Sequence, residues 1–172
     1  MIKIDESSRA APLLSGPERA QLESWLDFYR ATLILKCAGL SIEQLSTRPV
    51  ATSDLTLLGL LRHMTFVEQV WFEKVFAGLA IDDYYKRDDD RDADFHELTS
   101  SPLDDVVQLF YTACSTSRAL SSGHELDEMA LVAGRGRQVD LRWIYVHMIE
   151  EYARHCGHAD LLRELIDGST GY

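Results

Sequence analysis

Residues 143–168 read WIYVHMIEEYARHCGHADLLRELIDG. Apolar residues recur here every three to four positions, Asp140 precedes the run as a plausible N-cap, and Gly168 stops it, so the pattern predicts a helix from Leu141 to Ile166. At about 100° per residue, measured from Glu151, Ile144 and Leu162 fall at about +20°, His147 at about −40°, His155 at about +40° and His158 at about −20°. These residues form one stripe with apolar ends and an ionisable middle. The apolar ends turn the stripe toward a core, where an unpaired carboxylate and unsatisfied imidazoles are costly. A divalent cation would resolve both, because it neutralises a carboxylate and accepts lone pairs from neutral imidazoles. Glu151 and His155, one turn apart, are near enough to share an ion, while His147 and His158 fit the same stripe as alternative ligands.

A further ligand must come from another helix. The segment LTLLGLLRHMTFVEQVWFEKVF, residues 55–76, extends from a cap at Ser53 to Gly78. Leu57, Leu61, Met64, Trp71 and Val75 make one apolar line along it, and Leu60, His63, Val67 and Val70 make a second. His63 therefore faces inward. His96 lies in a loop and His124 just past a helix end, so neither has that placement. The bland alternatives are hydrogen-bonded core histidines and an ordinary i,i+4 pair on a helix surface.

Two further helices are expected, from Pro17 to about Ala38 (with a short turn of helix at Ser41–Leu45 after it) and from Ser101-Pro102 to Gly123. No strand pattern of comparable strength occurs. The fold expected is all-α, an antiparallel four-helix bundle with one long crossover, in a single domain over residues 1–172. The crossover is the acidic segment IDDYYKRDDDRDADF, residues 81–95, which reads equally as a solvated connection or a functional loop. The GRGR stretch at residues 134–137 reads better as a turn or hairpin loop than as a phosphate cradle.

Composition narrows the function. A formal net charge of −11 with no basic stripe argues against nucleic-acid binding. No stretch is apolar enough to span a membrane, and the N-terminus lacks the features of a signal peptide, so a cytoplasmic location is expected. Cys37, Cys114 and Cys156, odd in number and far apart, read as buried hydrophobes rather than a disulfide framework. Cys156 adjoins His155 but points away from the stripe.

The run at 143–168, with TLLGLLRHMTFVEQVWFEKVFAG and the earlier RATLILKCAGLSIEQL, resembles the DinB/YfiT-like superfamily, most closely its actinobacterial branch of uncharacterised domains. The resemblance covers about Gly16 to Gly171. It implies a four-helix bundle with one divalent metal near an end, often zinc or nickel and here zinc first; His/Glu ligands by themselves also accept nickel, iron or manganese. It also implies the ligand set: His63 from the second helix, with Glu151 and His155 from the last. Glu151 departs from the common all-His pattern and matches the set of mycothiol-dependent isomerase relatives. His158 and His147 then become supporting groups. The activity implied is transfer of a low-molecular-weight thiol of the mycothiol type to a small electrophile, with the thiol as cosubstrate. A non-catalytic metal-binding or stress-response protein is the alternative. It would dimerise through a face carrying Trp143 and Val146, although packing against an N-terminal segment accounts for those residues equally well. Arg30, Glu68 and Arg154 are the candidate substrate-binding residues.

Overall fold

The computed structural model describes residues 2, 9–85, 89–132 and 136–171. Within them the chain is mostly helical, with one two-stranded hairpin. Helix α1 (Glu18–Cys37) starts after Pro17, and Glu18 in its first turn complements the helix dipole. It buries Leu26 and Leu33 completely and ends before Gly39, whose φ of 77° suits a residue without a Cβ. Helix α2 (Ile42–Leu45) is one turn closed by a capping box between Ser41 and Gln44.

Helix α3 (Leu57–Glu68) begins later than the expected Ser53. Thr56 is the cap, its hydroxyl accepting from Gly59 N at 2.9 Å, while Ser53 Oγ accepts from Leu55 N in the preceding turn. The rod continues as a π-helix from Gln69 to Phe76. Its wider turn rephases the side chains. Trp71 packs, partly buried, against the core, while Phe72 and Val75 are buried in it.

The crossover is not merely solvated. A 3₁₀ turn at Ala93–Phe95 docks on α3 with Asp94 fully buried. Arg62 holds it by donating to the carbonyls of His96 and Ala93, each at 2.9 Å. Gly59 permits the approach, since a Cβ there would lie 2.4 Å from Phe95 Cδ1.

Helix α4 (Leu103–Ser121) buries Val106, Phe110, Ala113 and Cys114. Next comes an antiparallel hairpin, β1 (Met129–Val132) and β2 (Arg137–Asp140), in register Ala130↔Val139. This adds a small sheet to the all-α expectation: four residues per strand are too few to establish a period-2 pattern. Gly134 and Arg135 of the GRGR stretch lie outside the described residues. Asp140 then caps α5 (Leu141–Asp167) by accepting from Trp143 N at 2.7 Å, and Gly168 at φ 77° terminates it. Helix α5 packs on α1 and on α3, and α4 packs on the α3 rod. The shared core includes Leu57, Leu61, Met64, Phe110, Ile144, Met148 and Tyr152.

Candidate metal centre

The packing of α3 against α5 brings His63, Glu151 and His155 together, with one ligand atom from each within 4.8 Å of the others. The rings of His63 and His155 meet edge to face, their centroids 4.8 Å apart. His155 Nε2 lies 3.5 Å from Glu151 Oε2. All three side chains are mostly buried, at 21%, 17% and 12% exposure for His63, Glu151 and His155, so the group is reachable from solvent without being bathed in it.

Each imidazole is held by its other nitrogen. His63 Nδ1 donates to Asp94 Oδ2 at 2.7 Å, which leaves Nε2 as the lone-pair atom. His155 Nδ1 lies 3.3 Å from His158 Nδ1, so its Nε2 faces Glu151. A carboxylate behind a histidine is the arrangement that fixes tautomer and ring direction at metal sites. Asp94 is the residue that sequence reading missed. It sits in an acidic loop without apolar periodicity, and only the docking of the 3₁₀ turn reveals it. Burial pushes the His155 imidazole down to about 4, helped by the neighbouring His63 and His158, so the ring is neutral and able to act as a ligand at neutral pH.

The donor set fits a divalent ion. Two ligand atoms on a tetrahedral ion, each bonded at about 2.0–2.1 Å, stand about 3.4 Å apart. The His155–Glu151 separation of 3.5 Å matches that spacing and is too long for a hydrogen bond. Among the described residues Glu151 has no lysine or arginine partner; its carboxylate faces the imidazoles of His147 and His155.

The remaining candidates are placed elsewhere. His147 lies one turn before Glu151, its Nδ1 3.1 Å from Glu150 Oε2. Trp143, expected on a face away from the stripe, stacks on His147, four residues on along the same helix, and meets Trp71 at 5.1 Å. Arg30 and Glu68 form a buried bidentate pair, with Nε–Oε1 and Nη2–Oε2 both at 2.7 Å, and Tyr152 Oη donates to Glu68 Oε1 at 2.8 Å. Burial alone would raise the Glu68 carboxyl, but the Arg30 guanidinium outweighs it and holds the group below the usual range. Arg30 also lines a cavity of about 550 Å³ between α1 and α4, with Asp27, Phe28, Phe110 and Arg118. Arg154 is an exposed residue paired with Glu150. The thiols of Cys37, Cys114 and Cys156 are all buried, and burial pushes each up to about 12.

A helical chain that gathers two imidazoles and a carboxylate between neighbouring helices is a candidate metal-binding helical protein. Residues 21–168 match the mycothiol-S-transferase family, and the chain belongs to it. This agrees with the resemblance to the DinB/YfiT-like superfamily. The fold is similar to that of a conserved protein of Enterococcus faecalis known from its crystal structure, with a TM-score of 0.64 and 16% identity over 90% of this chain and 100% of that one. No curated protein matches the chain. Among the described residues no helix is long and apolar enough to cross a membrane.

Proposed function

We propose that the chain is one domain, an antiparallel four-helix bundle that binds a divalent metal, preferentially zinc, through His63, Glu151 and His155 and transfers a low-molecular-weight thiol to a small electrophile. The observation that carries this reading is the pair of anchored imidazoles presenting Nε2 beside Glu151. The family's name points to mycothiol as the thiol. A bound divalent ion would supply the acidification that turns a thiol into a nucleophile near neutral pH. The chain's own residues do the rest. Asp94 and His158 fix the two rings, Glu151 contributes the negative charge that offsets the cation, and three protein ligands leave a position for an exogenous group. The buried cysteines, held protonated, do not compete as nucleophiles. Arg30 and Glu68 would contact substrate only by giving up their buried pair, so Arg154, already at the surface, is the better placed of the three.

The test is elemental analysis of untagged protein, followed by conjugation of mycothiol to a panel of electrophiles. Stoichiometric zinc and turnover that disappears in His63→Ala are expected. Metal-loaded protein that neither binds nor conjugates the thiol would sink the transferase reading. In that case a non-catalytic metal-binding protein is favoured. The half-exposed Trp143 and Val146 would then be tested as a homodimer face by light scattering.

A further inference from the structure

Around the bundle α1 packs on α5, α5 on α3 and α3 on α4, but α1 and α4 scarcely touch. The gap between them is the cavity of about 550 Å³, a volume within the roughly 300–1,000 Å³ of small-molecule sites. The His63/Glu151/His155 group lies on the α3–α5 seam, so the cavity is on the opposite side of the bundle and shares no residue with that group. It is also more enclosed than a groove between two helices. Ala10, Ala11 and Leu13 form a third wall. That wall is tied to α1 by the Leu13 N–H, which donates to Ser24 Oγ at 3.0 Å, and by the Arg9 guanidinium, which lies over the Phe28 ring at 5.0 Å. Phe28, Ile34 and Phe110 supply the apolar lining.

The charges in the lining already answer one another. Buried Arg30 gives Nε and Nη2 to Glu68 and donates from Nη1 to Asp27 Oδ1 at 2.9 Å. Arg118 donates to the same oxygen from Nε at 3.1 Å and from Nη2 at 2.8 Å. Asp27 Oδ1 therefore takes three N–H bonds, while among the described residues no donor reaches its Oδ2, and the side chain is 48% exposed. A second cavity of about 350 Å³ shares Asp27, Arg30 and Arg118 and adds the polar Tyr145 and Ser121, so the Asp27 end of the first cavity is its polar end. A charged ligand entering here would be desolvated with no unpaired counter-charge to meet it. An apolar body gains in proportion to the area it buries, and one N–H or O–H on it has Asp27 Oδ2 as acceptor.

We propose that this cavity binds an uncharged, mainly aromatic or aliphatic small molecule whose single hydrogen-bond donor meets Asp27 Oδ2, at a site separate from the metal centre.

The experiment titrates the full chain with phenyl-naphthylamine, a neutral aromatic amine with one N–H that fluoresces when it leaves water. One saturable equivalent is expected, with the same affinity in metal-free protein, in zinc-loaded protein and in His63→Ala. Ala31→Phe fills the cavity from α1 and should weaken binding about tenfold or more, and the smaller Ala31→Leu should weaken it less. Asp27→Ala should cost about tenfold, the worth of one hydrogen bond to a charged acceptor. Anilinonaphthalene sulfonate, a similar aromatic amine carrying a negative charge, should bind about tenfold more weakly or worse. Thermal melting accompanies each variant, and if Ala31→Phe melts low, Ala31→Leu carries the comparison. No saturable binding, or binding unmoved by filling at Ala31, overturns the site. Loss of the probe in His63→Ala assigns it to the metal centre and overturns the separate site as well. Equal or tighter binding of the sulfonate overturns the uncharged ligand class.

Discussion

Replacing Asp94 isolates the part of the centre that binds nothing itself. Its side chain is fully buried and accepts from His63 Nδ1 at 2.7 Å, a short charge-assisted bond. In Asp94→Ala, His63 loses both its direction and the tautomer that presents Nε2. Outer partners of this kind are worth about 10–100-fold in metal affinity, which is about 1.4–2.8 kcal/mol at about 1.4 kcal/mol per tenfold. Asp94→Asn keeps the volume and an accepting oxygen but loses the charge, so it should fall at the lower end, near tenfold. Competition for zinc against a chromophoric chelator measures both variants. Thermal melting of the metal-free forms separates a general loss of stability from a loss confined to the ion. Unchanged zinc affinity in Asp94→Ala would refute the reasoning, because His63 would then need no carboxylate to hold it.

Four other outcomes follow from the same geometry. Arg30→Ala leaves Glu68 buried and unpaired and should cost about 3–5 kcal/mol in urea unfolding; a loss below about 1 kcal/mol would mean that water reaches Glu68. Gly59→Ala forces a methyl against Phe95 Cδ1 at 2.4 Å and should cost about 1–3 kcal/mol while also weakening zinc binding, since the displaced turn carries Asp94. His155, ordinarily near 6.5 and held at about 4 in the fold, takes up its proton more readily when unfolded. Stability of the metal-free protein is therefore present above about 6.5 and is lost as pH falls from there toward 4; with the ring partly open to solvent the loss is about 1–2 kcal/mol, and it should be absent in His155→Gln. Finally, Cys37, Cys114 and Cys156 should resist a thiol reagent at pH 8 in the native protein and all react in denaturant.

Much of this was legible from helical phase. The stripe through Ile144, His147, Glu151, His155, His158 and Leu162 is written in a period of 3.6, and α5 obeys that period over its whole length. His63 was legible for the same reason, because α3 is still α-helical at that position. Phase said less where the winding changed. Trp71 lies in the π-helix, where it packs against the core and also meets Trp143 and His147, contacts that the period alone did not show. Asp94 was hidden for a different reason. Its position depends on a close approach through Gly59 and on two bonds from Arg62, contacts between residues about 31 to 36 apart in sequence, and local pattern carries no record of them. Arg30 and Glu68 read from the sequence as candidate substrate-binding residues, but their partnership spans 38 residues, and an isolated charge reads the same whether it meets a ligand or another side chain.

Asp140 has two duties at one position: it closes β2 opposite Met129, and it caps α5 through Trp143 N. No linker separates strand from helix, so the hairpin acts as an index pin that sets the rotational setting of α5 about its own axis. Glu151 and His155, both more than two turns further on, inherit that setting. One residue added just inside the helix would turn everything beyond it by about 100° relative to the hairpin. The chain would then have to choose between keeping the hairpin docked and keeping His155 opposite His63. Length between Asp140 and Glu151 is thus constrained as tightly as the identity of the proposed ligands.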